Sequence, residues 1–465
     1  MIADILRRSF IEWWLKRVED QLRILSEKGI RKKDYARALS AFAEARRAGL
    51  GGQHDEPGIG SVDGATQPDL DEWSFFSRGA AMSILQSAIE QRIRDAHPTM
   101  VVQDSVQALT DDRGVPVLCD ERLDSGDHAE LFERFEPADF RWVAEFVAAK
   151  ALRWYRRKHK FNRKPAIKDD LASNARIVMV GDWGSGIPRA QEVAGWMSDW
   201  IQDGVDAGIQ VHVVHLGDVY YAGFEHEYRD RFLKYWPVPE HQAKRVFSWS
   251  LNGNHDMYSG GDGYFKTLLG DPRFANQKKS SWFRIQNEHW RIVGLDTAWD
   301  EEGLVHDPRI ERGLAAPQAK VLKKWAAEDK RPFMLLSHHP LFSAYSKEKP
   351  GTYLAEQLDP LLTDRRVKAW FWGHEHKCIV YAGANQGVSH ARCVGHGGVP
   401  VYAVKPPQAK PGLPKVEWYE DRSVNEWPEH WAYFGFAVID FHGPQVTVRY
   451  IDQYGEEAHK ETFSA

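Results

Sequence analysis

VHVVHLGDVYYAG, Val211 to Gly223, is the stretch on which the reading of this chain turns. A β-branched apolar run of strand type stops at a Gly-Asp pair, so the aspartate is expected on a loop at the carboxyl end of a strand. The same pattern recurs on either side. RIVMV precedes GDWG (Gly181 to Gly184), VFSWSL precedes GNHD (Gly253 to Asp256), FMLL precedes SHHP (Ser337 to Pro340) and VKAWFW precedes GHEH (Gly373 to His376). Open α/β sheets place their ligand sites at strand carboxyl ends. Asp182 to Asp218, Asp218 to Asn254 and His338 to His374 are each 36 residues apart, room for a strand, a helix and a turn. Between Asn254 and His338 lie a further strand pattern, WRIVGLD (Trp290 to Asp296), and a helix pattern from Ala316 to Lys330. Alternating strands and helices predict a layered α/β domain.

The side chains on these loops are of one chemical kind. Asp182, Asp218, Asn254, His338, His374 and His376 offer carboxylate oxygen, amide oxygen and imidazole nitrogen, the donors that hard and borderline metals take. Two metals roughly 3.5–4 Å apart lower the pKa of a shared water and neutralise phosphoryl oxygens. Such a pair needs a bridging carboxylate, and Asp218 is the candidate. His255 follows Asn254, which suits a general acid or a hydrogen-bond donor to the transition state, with Asp256 to orient it. His339, next to His338, is a candidate phosphate contact. For His255 the competing reading is a brace for the metal ligands, and for His339 a satisfied loop residue.

Five such motifs in this order resemble the calcineurin-like metallophosphoesterases, and among them the purple acid phosphatase type, over about Arg176 to His396. The resemblance implies a four-layer α/β/β/α sandwich and hydrolysis of phosphate esters by a hydroxide bridging two metal ions. It assigns Asp182, Asp218, Tyr221 and His376 to the first metal and Asp218, Asn254, His338 and His374 to the second. The commoner superfamily pattern has a histidine two positions after the first aspartate; this chain has Gly184 there. The purple acid phosphatase type carries a tyrosine three positions after the second aspartate, where Tyr221 stands. A phenolate favours ferric iron, so the expected pair is iron with a divalent iron, manganese or zinc ion, and no other cofactor. Packing of Tyr221 against the strands is the alternative, with Tyr220 then pointing outward. The GDxVDRG motif of the protein serine/threonine phosphatases is absent.

The chain has 465 residues, 43% of them hydrophobic, enough for a sizeable core and more than one domain. A formal net charge of −5 argues against a general nucleic-acid coat. Cys119, Cys378 and Cys393 are too few for a disulfide framework, the amino terminus lacks the pattern of a secretory signal, and no run has the roughly 18 apolar residues of a membrane span. A cytoplasmic protein is expected.

Residues 1–164 lie before the motifs and read as a mainly helical region of unknown role, with the catalytic domain at 165–465. Amphipathic spacing marks helices at Ile5 to Leu22, Ala80 to Ala96 and Asp139 to His159, and Leu50 to Asp69 has the composition of an exposed loop. Basic and aromatic residues interleave from Arg153 to Lys164, a pattern that can contact nucleic acid or anionic lipid; a solvated face and linker is the plainer reading. Near the carboxyl end, Phe434 to Phe441 and Gln445 to Ile451 read as a hairpin that completes a sheet, and Val404 to Glu429 as a loop by the site mouth. Tyr258, Tyr264, Trp299, Tyr345 and the SGGDG loop, Ser259 to Gly263, are candidates for lining a substrate pocket, the glycines allowing motion. A small phosphomonoester is the favoured substrate. A phosphodiesterase acting on cyclic nucleotides or nucleic acid is the alternative, and a non-catalytic scaffold on the same fold is the alternative of another class. Nothing in the sequence bears on oligomeric state.

Overall fold

The motif strands fall into two separate sheets in the computed structural model, which describes residues 159–220, 222–299, 313–344, 352–399, 401, 403, 414–426 and 429–465 together with the short strands Leu109–Thr110 and Pro116–Val117. The expected helices within 5–22, 80–96 and 139–159 and the loop at 50–69 lie outside these residues, apart from His159, which is not helical.

The smaller sheet has six strands in the order Glu457–Ser464, Gln445–Asp452, Gly435–His442, Asn174–Val180, Gln210–His215, Val246–Ser250. Its last three strands are parallel neighbours and end in GDWG, GDVYY and GNHD. The hairpin expected near the carboxyl end is Gly435–His442 with Gln445–Asp452, and it joins this sheet through Asn174–Val180. The larger sheet has eight strands. Phe333–Ser337 and Val367–Trp372, which end in SHHP and GHEH, are parallel neighbours at its centre. The segment around 404–429 is only partly a loop. Val416–Tyr419 pairs with Cys378–Tyr381 and satisfies the backbone groups of what would otherwise be a bare edge.

Side chains alternate along the motif strands with period two and sort into three cores. Ile177 and Met179, Met334 and Leu336, and Ala369 and Phe371 point between the sheets and pack together. Val178 and Val180 point outward against Val193, Met197 and Ile201 of the helix Pro188–Asp206, which opens with a proline in its first turn. Phe333, Leu335, Trp370 and Trp372 point the other way, against Leu322 and Trp325 of Ala316–Glu328 and Leu354 and Leu358 of Thr352–Leu358. The four layers are therefore helix, sheet, sheet, helix. No strand of one sheet pairs with a strand of the other among the described residues. Side-chain burial holds the sheets together, at about 1.5–3 kcal/mol for each fully buried Leu, Ile or Phe.

Candidate metal centre

Because the three parallel strands of the smaller sheet and the two of the larger end at the same edge of the sandwich, their loops converge. Asp182, Asp218 and His376 each bring one ligand atom within 4.8 Å of the others, and all three are buried. His376 Nε2 lies 3.4 Å from Asp182 Oδ1. The second group is built around Asn254, whose Oδ1 is 3.0 Å from His338 Nε2 and 3.0 Å from His374 Nδ1. The two ring nitrogens are 3.2 Å apart. Asp218 belongs to this group as well, its Oδ2 lying 3.2 Å from His338 Nε2. The structure thus brings together every predicted ligand except Tyr221, which lies outside the described residues.

A phenol does reach the first group, and it is that of Tyr220. Its hydroxyl is 2.9 Å from His376 Nε2, 3.1 Å from Asp182 Oδ1 and 3.3 Å from Asp218 Oδ2, and the residue is fully buried rather than outward. The sequence signal for it was the tandem tyrosine. Gly184, where the commoner pattern has histidine, explains the access. It forms a parallel bridge with Val219, and a Cβ there would stand 2.7 Å from Val219 Cγ2. A side chain at 184 would push the GDVYY loop away.

The loops are held in unusual backbone geometry. Asp182, Asp218, His374 and His376 have φ of 55°, 70°, 69° and 51°. Left-handed conformations in non-glycine residues cost on the order of 1–3 kcal/mol each and persist only when their surroundings enforce them. Here the His374 amide donates to Asp182 Oδ2 at 2.6 Å and the His255 amide to Asp218 Oδ1 at 2.9 Å. Gly253 is needed for the second contact, since a Cβ there would fall 2.1 Å from Asp218 Oδ1.

Electrostatics favour a cation. Burial alone would raise the Asp218 carboxyl, but the His338 and His255 rings beside it outweigh burial and hold it well below the usual carboxylate range. Burial would lower His338; Asp218 outweighs that and lifts it to about 9. The field that holds a proton on His338 is the field that would hold a metal ion. His338 Nδ1 lies 3.0 Å from the Leu216 carbonyl, which can only accept, so Nδ1 carries the hydrogen and Nε2 faces the donor group. Acceptor atoms of Asn254, His338, His374 and Asp218 crowded at 3.0–3.2 Å are what a metal site requires, and the residues fit one.

The three residues proposed for catalysis are placed differently. His255 is buried, its ring centre 4.5 Å from that of Tyr220 and 4.7 Å from that of Tyr258, beside both donor groups. Asp256 is engaged elsewhere. Its carboxylate accepts from the amides of Asp218, Val219 and Gly253 at 2.9, 3.0 and 2.6 Å and from the Tyr228 hydroxyl, bracing the GDVYY loop. Burial, reinforced by the Asp218 charge, pushes its carboxyl up to about 7. His339 has its ring 4.7 Å from that of His374. Its Nδ1 is 3.1 Å from Thr297 Oγ1, which also accepts the His339 amide at 3.2 Å. Thr297 went unpicked from the sequence, although it follows WRIVGLD as the motif residues follow their strands.

The pocket candidates are mostly structural. Tyr258 and Tyr264 are buried, their hydroxyls bonded to Asn254 Nδ2 and the Ser250 carbonyl, both at 2.7 Å. Tyr345 lies outside the described residues. Gly263 serves close packing, since a Cβ there would meet the Gly223 carbonyl at 2.2 Å. No helix among the described residues is long and apolar enough to cross a membrane.

The sequence model of the calcineurin-like phosphoesterase family matches residues 175–378. Tartrate-resistant acid phosphatase type 5 of Rattus norvegicus is 25% identical over 313 residues, 62% of this chain and 90% of that protein. The Homo sapiens protein of the same name is 25% identical over 320 residues, 64% and 93% of the two chains. A solved structure described as GAP50, the anchor in the inner membrane complex of Plasmodium, covers 63% of this chain and 89% of its own at 15% identity, with a TM-score of 0.45.

Proposed function

We propose that this chain, whose residues 175–378 match the calcineurin-like phosphoesterase family, hydrolyses phosphate esters at a dinuclear metal centre, small phosphomonoesters being the favoured class. The observation that carries this reading is Asp218, whose Oδ2 lies 3.2 Å from His338 Nε2 of one donor group and 3.3 Å from the Tyr220 hydroxyl, which is beside Asp182 and His376 of the other. In this reading Asp182, Asp218, Tyr220 and His376 hold one ion, and Asp218, Asn254, His338 and His374 hold the other. Tyr221 is the competing source of the phenol. A bound metal pair supplies an activated water and neutralises phosphoryl oxygens.

The chain's own groups do the rest. His255, buried between two tyrosine rings, donates a hydrogen bond to a substrate oxygen or a proton to the leaving group. His339, held by Thr297, contacts the phosphate from the other sheet. Asp256 keeps the Asp218 amide in place rather than orienting the His255 ring. The preference for monoesters draws on the likeness to proteins named acid phosphatases. A mixed iron pair follows from a phenolate ligand, and a cytoplasmic setting suits the buried free thiols of Cys378 and Cys393.

The test is elemental analysis and an absorption spectrum of the purified protein, with turnover of p-nitrophenyl phosphate against its bis-ester. Two metals, a visible tyrosinate-to-iron band and faster monoester turnover are expected. Faster diester turnover would move the protein to the phosphodiesterases. Absence of metal and of turnover would leave a non-catalytic scaffold.

A further inference from the structure

A short segment outside the family match ties the two sheets together at the rim of the centre. One rim loop follows Val246–Ser250 of the smaller sheet; it carries Asn254 and His255 and continues through Gly260. The other follows Arg291–Leu295 of the larger sheet and carries Asp296 to Trp299, with Thr297 against His339. His159 bridges them with its backbone. Its amide donates to the Gly260 carbonyl at 3.0 Å, and its carbonyl accepts from Trp299 Nε1 at 2.9 Å.

The side chains repeat the bridge. The His159 ring stacks on Phe265 at 4.1 Å and 7°, in the outer core of the smaller sheet. Phe161 packs on the outer core of the larger sheet, edge-on to Trp299 at 5.4 Å and stacked near Trp282 at 6.1 Å. Trp282 Nε1 donates to the Asn162 carbonyl at 2.8 Å and Ser280 Oγ to that of Lys164 at 2.8 Å. Trp299 is fixed at its other end by its amide, which donates to Asp296 Oδ1 at 2.8 Å. A solvated linker has no need of these bonds. Because the sheets share no strand pairing among the described residues, the spacing of their rim loops is set only by packing and by such cross-links.

We propose that residues 159–164 are a positioning strap: by holding Gly260 and Trp299 they fix the spacing of the two rim loops, and with it the placement of His255 and His339 about the centre. The consequence for the reaction rests on the metal-centre reading above; the mechanical bridge does not.

Hydrogen exchange on the full-length chain, with and without manganese, tests both parts. Phe161→Ala is expected to speed exchange in peptides covering 257–263 and 296–299 together by about tenfold or more, while Gly435–His442 and Gln445–Asp452 keep their protection. Manganese binding should weaken by on the order of tenfold, as when a group that orients ligands is lost. Phe161→Tyr, which keeps the ring, should restore both. Trp299→Phe, which deletes one hydrogen bond, should speed both loops by about fivefold, and it decides the matter if Phe161→Ala fails to fold. Acceleration in one loop alone, in every strand equally, or in neither loop would overturn the strap. A parent chain that binds no manganese would sink the metal centre and leave the exchange result to decide the strap.

Discussion

The smaller sheet brings Asp182, Asp218 and Asn254 to the centre at the ends of three adjacent parallel strands, whereas the larger sheet brings His338, His374 and His376 at the ends of two. One sheet offers oxygen and the other nitrogen. Neither could hold an ion pair alone, because the first group needs His376 from the larger sheet and the second needs Asp218 and Asn254 from the smaller. Two sheets that share an apolar core but no strand pairing among the described residues must then be held in register at one edge. The loops are accordingly short, braced by Asp256 and by amide bonds to the ligands themselves.

Asp218 is where the division is most exposed. Asp218→Asn should abolish metal pairing and lower kcat/KM by well over about 10²-fold, the loss typical of groups that only orient ligands; metal content and turnover are measured together, and full occupancy with full rate would refute the shared carboxylate. Gly253→Ala comes next. Its methyl would collide with Asp218 Oδ1, so metal content should drop while far-ultraviolet circular dichroism stays that of the parent.

The source of the phenol sharpens the first site. Tyr220→Phe should remove the visible band and weaken metal binding about tenfold, with Tyr221→Phe leaving both near the parent values. The reverse pattern would return the ligand to Tyr221. The smallest effect concerns the interface between the sheets. His212 accepts from Trp249 Nε1 at 3.1 Å, and Trp249 packs on Phe283 of the larger sheet, ring centres 4.8 Å apart. Burial lowers His212 from 6.5 to about 3. The unfolded chain therefore takes up the proton first, and this contribution to stability is complete above pH 6.5 and lost as pH falls towards 3. His212 should account for about 1 kcal/mol of stability lost between pH 6.5 and 5.5. Chemical denaturation of the parent and of His212→Gln checks this, the variant showing the shallower pH slope.

Much of this was legible because strand periodicity and strand-end motifs are local. RIVMV, VHVVHL and VKAWFW alternate between two apolar surfaces, so both faces of each strand had to be covered and a layered α/β domain follows, while the α/β/β/α order was implied by the family resemblance. Other features were not legible for an equally physical reason. Tyr220 and Tyr221 are both aromatic neighbours of Asp218, and nothing in the local sequence says that the Tyr220 hydroxyl lies beside Asp182. Asp256 looked like a partner of the adjacent His255, but its carboxylate faces the amides of a loop some 38 residues earlier in the chain. Val416–Tyr419 lacked a strand signal of its own and became a strand because Cys378–Tyr381 offered it an edge.

The sequence by itself determined the donor atoms, their order and the strands that end in them, since these depend on residue type and short-range period. Only the tertiary structure showed which donors lie together, that the Tyr220 hydroxyl lies beside them and that His159 bonds to both rim loops. Those outcomes depend on how two unpaired sheets pack across a common apolar core, a relation between residues far apart in the chain that no local pattern encodes.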